Sequence, residues 1–207
     1  MPEAITRRTF ATALATSVVL GQETTAIAGP ELAPLPHPKR TEAPFERDYP
    51  PPAFTPSWRR PQINHLLVQD FVIFAHTDIK MVEKLLNKEP GLINAFIDWG
   101  GGDWESALGA ASHMGNREMA SFLLERGARM DIFCAVMMGQ FEAVKAFLTL
   151  QPKLIDAKGP HGFSLHFHAQ LAGPDADRML EYLQSIKKVD LPPNPFLKKK
   201  ETPPKSK

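Results

Sequence analysis

Seven histidines, eight methionines and one cysteine carry most of the chemical capacity of this 207-residue sequence, because imidazole, thioether and thiol groups all bind transition metals. Two groupings bring them close along the chain. His166 and His168 form a His-x-His with His161 upstream, and His113, Met114, Cys134, Met137 and Met138 fall on two neighbouring candidate helices. The first set offers imidazole nitrogen alone and the second adds thioether and thiol sulfur, donors that suit Cu(I) or Zn(II). The first set meets an obstacle: two residues apart on a helix, the rings of His166 and His168 point about 200° apart, so they chelate together only from a loop or strand. Read plainly, these histidines brace loops or lie at the surface, and the sequence assigns no metal and no other cofactor.

Catalysis finds less support. Cys134 acts as a nucleophile only beside a base and an orienting group, and a place on an inner helix offers no activation. Gly100 to Gly102 is not followed by the lysine-bearing helix of a phosphate-binding loop. Asp98 and Asp103 read as solvated loop carboxylates, and the chain is not expected to be an enzyme. A net charge of +1 gives no general nucleic-acid signature, and a lone cysteine excludes an intramolecular disulfide framework.

The elements that must position these residues are helix pairs. From Ser106 to Asp131 a short helix carrying Leu108, Ala110 and Ala111 runs into Gly115, and a second follows with Met119, Ala120, Phe122, Leu123 and Leu124 on one face. Gly115 suits a tight turn and Gly127 a C-terminal cap, since both need a backbone conformation that glycine tolerates. Similar pairs are expected at Leu66–His76 with Ile79–Asn87, at Ile132–Met138 with Phe141–Leu150, and at Phe163–Ala172 with Asp175–Ile186.

At Leu108, Ala111, Gly115, Met119, Ala120, Phe122 to Leu124, Gly127, Ala128 and Asp131 the chain resembles the ankyrin repeat, although Ser106-Ala107-Leu108-Gly109 stands where that family has Thr-Pro-Leu-His. The resemblance implies an all-α solenoid of about four helix-turn-helix repeats over residues 62–188. The turn position recurs at Thr77, Gly115, Gly139 and Gly173, at intervals of 38, 24 and 34 residues, against a family period of about 33. The short interval predicts that the third repeat lacks its finger loop.

Stacked pairs cannot bury their faces singly, so the resemblance also implies a concave surface of finger loops and inner helices that holds a protein partner. Carried onto this sequence, the inner-helix positions are Ala75, His76, His113, Met114, Met137, Met138, Leu171 and Ala172. The finger positions are Trp99, Asp103, Trp104, Glu105, His161 and Phe163. Trp99 and Trp104 are the expected anchors, with Met114, Met137 and Met138 as an adaptable floor. The expected function is a non-catalytic, monomeric protein-binding module; the alternative is a soft-metal (Cu or Zn) protein using the His and Met residues.

The flanks differ in kind. Arg7, Arg8 and Phe10 precede an apolar run from Ala11 to Leu20, and Ala26-Ile27-Ala28 follows. This resembles a twin-arginine export signal over residues 1–28, and implies a periplasmic or secreted protein with no membrane anchor after cleavage near Ala28. Residues 29–61 read as a Pro-rich linker, whose Phe45, Tyr49, Phe54 and Trp58 are candidates for packing on the first repeat. Residues 189–207 read as a disordered basic tail.

Overall fold

The computed structural model describes residues 42–57 and 59–197, so the export-signal residues Arg7, Arg8, Phe10, Ala26 and Ala28, as well as Trp58, lie outside it. The chain divides into residues 1–55 and 56–207. In the first unit the described residues form no regular element, and Phe45, Tyr49 and Phe54 are exposed. The second unit is mostly helical. In order it contains α1 (His65–Ala75), α2 (Ile79–Lys88), β1 (Phe96–Asp98), β2 (Trp104–Ser106), α3 (Ala107–His113), α4 (Arg117–Glu125), α5 (Ile132–Met137), α6 (Phe141–Leu150), α7 (Leu165–Ala169) and α8 (Ala176–Ile186). Among the described residues no helix is long and apolar enough to cross a membrane.

Most helix starts are written locally. The side chains of Asn64, Asp78, Ser106, Asn116, Asp131 and Ser164 accept hydrogen bonds from Leu66, Met81, Gly109, Met119, Cys134 and Phe167 amides at 2.8 to 3.2 Å. Each satisfies a donor that the first helical turn leaves unpaired. The turns between paired helices use Gly115 and Gly139 at φ 65° and 71°, a region costly for any residue with a Cβ.

Packing follows from the apolar stripes. Each odd-numbered helix pairs with the next even-numbered one, and α1, α3, α5 and α7 pack successively on each other. One core cluster gathers Phe71, Val72, Leu92, Leu108, Met119, Leu123 and Met137; another gathers Val136, Val144, Leu165, Met179 and Leu183. Burying each large side chain contributes about 1.5 to 3 kcal/mol before entropy is subtracted. Helix α5 begins soon after Gly127, whereas α3 is preceded by the β1–β2 hairpin and α7 by the segment 157–164.

One side chain ties the stack together. Arg117, in the first turn of α4, donates to the carbonyls of Met137 (2.7 Å), Met138 (3.1 Å) and Ala172 (3.1 Å). Met137 and Met138 lie at the C-terminal end of α5, where carbonyls lack intrahelical partners and the helix dipole favours a cation, and Ala172 lies in the segment between α7 and α8. Arg117→Ala is expected to cost about 2 to 4 kcal/mol in urea unfolding, since charged hydrogen bonds contribute about 1.5 to 3 kcal/mol each and are not additive. A loss under about 0.5 kcal/mol, the scale of an ordinary surface substitution, would remove this role.

The chain does not become free after α8. Asn194 is buried, donates through Nδ2 to the Phe167 carbonyl at 3.3 Å and accepts the Phe196 amide at 2.9 Å. Phe196 packs near Phe163, Phe167 and His113. Residues 190–197, expected as part of a tail, are therefore held by a buried amide and an aromatic contact. The basic residues from 198 onward lie outside the described part.

Candidate metal centre

The β1–β2 hairpin forms a hydrogen-bonded finger. Phe96, Ile97 and Asp98 pair with Ser106, Glu105 and Trp104 in antiparallel register. At the tip, Asp98 Oδ1 accepts the amides of Gly100 (2.9 Å) and Gly102 (3.1 Å), and Gly100, Gly101 and Gly102 all take positive φ. Strand alternation then decides the side chains: Ile97 and Glu105 turn inward and are buried, while Phe96 and Trp104 stay exposed.

Glu105 thereby becomes a fully buried carboxylate, and three imidazoles meet it. His113 ends α3, His76 follows the last residue of α1, and His161 projects from the segment before α7. His113 Nδ1 stands 3.1 Å from Glu105 Oε1, His161 Nε2 stands 3.5 Å from the same oxygen, and His76 Nε2 is 3.9 Å from Oε2. One ligand atom from each of the four residues lies within 4.8 Å of every other. A zinc ion with bonds of about 2.0 to 2.1 Å sets tetrahedral donors about 3.4 Å apart, so a small inward movement closes the cluster on an ion.

Two observations separate this cluster from an ordinary buried salt bridge. First, Glu105 Oε1 and His113 Nδ1 are both sealed from solvent and neither makes a hydrogen bond, despite their proximity. Leaving two facing buried polar atoms unpaired is costly, and a shared cation removes the cost. Second, the other ring nitrogens of His76 and His161 are already committed. His76 Nδ1 lies 2.9 Å from the Val72 carbonyl and His161 Nδ1 lies 2.8 Å from Asp103 Oδ2, so each donates there and turns Nε2 toward Glu105. A carbonyl or carboxylate behind the ring is the arrangement that orients a metal-binding histidine.

Asp103 holds its histidine twice, since its Oδ1 also accepts the His161 amide at 2.8 Å. That amide bond leads the interactions that keep the Asp103 carboxyl below its ordinary range, joined by the bond to the ring and opposed by partial burial. His161 sits at φ 57°, a left-handed conformation that a residue with a Cβ occupies at a cost. Asp103 offsets that strain and fixes the ring.

Several expectations change here. Glu105 and His113 do not line an open groove, because both are sealed inside the cluster. Met137 is fully buried, and Met114 and Met138 are only partly open, so no methionine floor is presented. The short helix α5 packs on α3, α6 and α7, and its last residue, Met137, is left no outward side. Ala75, Leu171 and Ala172 are likewise buried. Trp99 is 36% exposed, but its indole is spent on Glu105 at 2.7 Å; Trp104 is 59% exposed. Phe163 stacks on Phe167 beside His113.

The His161, His166 and His168 set does not form. His166 and His168 lie on α7, both buried, with His166 Nε2 donating to the Lys187 carbonyl and His168 Nδ1 to the Ser164 carbonyl. Cys134 is buried, and desolvation pushes its thiol up to about 12, far from a thiolate ligand. No sulfur atom belongs to the four-residue cluster.

His168 carries its own consequence. Burial pushes its pKa down to about 4, and its Nε2 is sealed without a partner, so the folded protein holds it neutral. The unfolded chain binds a proton near pH 6.5, hence stability is complete above that value and is lost as pH falls toward about 4. In a chelator, urea unfolding is expected to show about 2 kcal/mol less stability at about pH 5 than at about pH 7. Burial lowers His166 too, which adds in the same direction. A flat profile over that range would contradict a neutral buried imidazole.

Comparison with protein-family models, with curated proteins and with solved structures gives no match to this chain.

Proposed function

We propose that this protein is a metal-binding ankyrin-type solenoid, exported to the periplasm or beyond, that holds one divalent ion of the zinc class through His76, Glu105, His113 and His161. The observation that carries the reading is the pair of sealed, unbonded atoms, Glu105 Oε1 and His113 Nδ1, with two further imidazole nitrogens turned toward the same carboxylate. Three imidazoles and a carboxylate form a nitrogen and oxygen donor set. Such a set suits Zn(II) and its divalent neighbours rather than Cu(I), which favours thiolate and thioether. The repeat reading draws on the glycine turns and on the succession of helix pairs, and the export reading on the Arg7-Arg8 segment. The function so read is binding rather than catalysis.

Equilibrium dialysis of the purified chain against Zn(II), with metal and protein measured in the same sample, tests this. One ion per chain bound tighter than micromolar is expected. No retention at micromolar zinc would overturn it.

A second reading, capture of a protein partner, is favoured by Phe96 and Trp104, which are 58% and 59% exposed on the outer side of the same hairpin. Exposed aromatic side chains are the usual anchors of binding energy. The readings part at Trp104→Ala, which lowers partner retention and leaves metal affinity unchanged.

A further inference from the structure

We infer that Trp99 determines which ions the centre accepts, by holding Glu105 to one donor oxygen so that the protein offers four ligands and no more. The inference rests on the metal reading above and adds a role for a residue outside the ligand set.

Indole nitrogen is a donor only, and Trp99 Nε1 reaches Glu105 Oε2 at 2.7 Å, a short bond of the kind a carboxylate accepts. Glu105 is fully buried, so no solvent competes for that oxygen. With Oε2 occupied, Oε1 is the oxygen left facing His113 and His161. The carboxylate thus binds through one atom. Three imidazoles and one oxygen make a four-coordinate set, which satisfies Zn(II) and Co(II); manganese and magnesium favour six ligands, mainly oxygen.

Trp99 itself is well held. Its amide donates to the Asp103 carbonyl at 3.0 Å, within the finger that Asp98 and the glycine run stiffen. The same finger sends Asp103 to His161. Its two arms therefore set both the carboxylate and one imidazole. If the indole donor is removed, Oε2 becomes a buried, unpaired carboxylate oxygen 3.9 Å from His76 Nε2. Its cheapest remaining partner is the ion, and the coordination number rises.

The test uses the full chain and Trp99→Phe, which keeps an aromatic ring and removes the donor; circular dichroism checks that the variant folds. Visible absorption of the Co(II) complex reads coordination number, and competitive titration gives the Zn(II) over Mn(II) affinity ratio. The wild type is expected to show the intense bands of four-coordinate Co(II). The variant is expected to show weaker five- or six-coordinate bands and a ratio lowered by about tenfold or more, the scale of outer-sphere effects. A weak six-coordinate spectrum from the wild type overturns the inference without any variant. A variant that keeps the wild-type spectrum and ratio, or loses both affinities by one common factor, overturns it as well. If the wild type binds neither Zn(II) nor Co(II), the metal reading itself falls and takes this one with it.

Discussion

His161→Ala is expected to lower zinc affinity by at least about a hundredfold, the upper end of what loss of an outer-sphere partner costs, while leaving the fold intact. His161 is the favourable place to test a ligand, because its side chain is 34% exposed on a segment between helices, whereas His113 is sealed in the core. Metal binding is also a stability measurement. At a thousandfold excess of free zinc over Kd the wild type gains about 4 kcal/mol against unfolding. With Kd raised a hundredfold, the alanine variant is expected to gain no more than about 1.4 kcal/mol at the same zinc concentration. Asp103→Asn keeps an oxygen near the ring but loses the charge, and belongs between the two, about 10 to 100-fold weaker than wild type. Equal zinc affinity in all three proteins would show that the Asp103–His161 pair only braces the loop.

Replacing the carboxylate gives the second large effect. Glu105→Gln preserves an oxygen that can accept the Trp99 indole, so urea unfolding in a chelator is expected to change by no more than about 1 kcal/mol, the net scale of a hydrogen bond. Adding zinc separates the proteins: the roughly 4 kcal/mol gained by the wild type is lost in the variant, because a neutral amide oxygen is a poor ligand for the ion. The opposite pattern has a different cause. A large loss in the chelator with the zinc gain intact would make Glu105 a buried salt-bridge partner of the histidines and nothing more.

Much of the helical framework was legible from short-range chemistry. The apolar stripes announce the helix pairs, and Gly115 and Gly139 announce turns. The short interval between Gly115 and Gly139 matches the direct passage from Gly127 into α5. What eluded the sequence was set by tertiary contact. The glycine run has no visible role in the sequence until Asp98 is seen bonding two of its amides. Counting back from Gly139 places Met137 outward, but a six-residue helix packed on three others has no free side there. The tail boundary slipped because nothing local signals that Asn194 will reach the Phe167 carbonyl.

The candidate site was legible as names and not as a site. His76, Glu105, His113 and His161, together with Asp103, are all among the residues expected at finger and inner-helix positions. They come from four separate segments, so no ligand spacing joins them, and the eye goes instead to the compact His166-x-His168. That pair is on a helix after all, with its rings divided between backbone carbonyls. Only strand register, which turns Glu105 inward opposite Ile97, makes a carboxylate the meeting point of three histidines.

X-ray absorption at the zinc edge of the loaded, full-length protein tests the centre most directly. One shell of about four light donors near 2.0 Å is expected, with the outer-ring signature of three imidazoles and no sulfur at about 2.3 Å. A sulfur contribution, or a shell of six oxygens without imidazole, would contradict it.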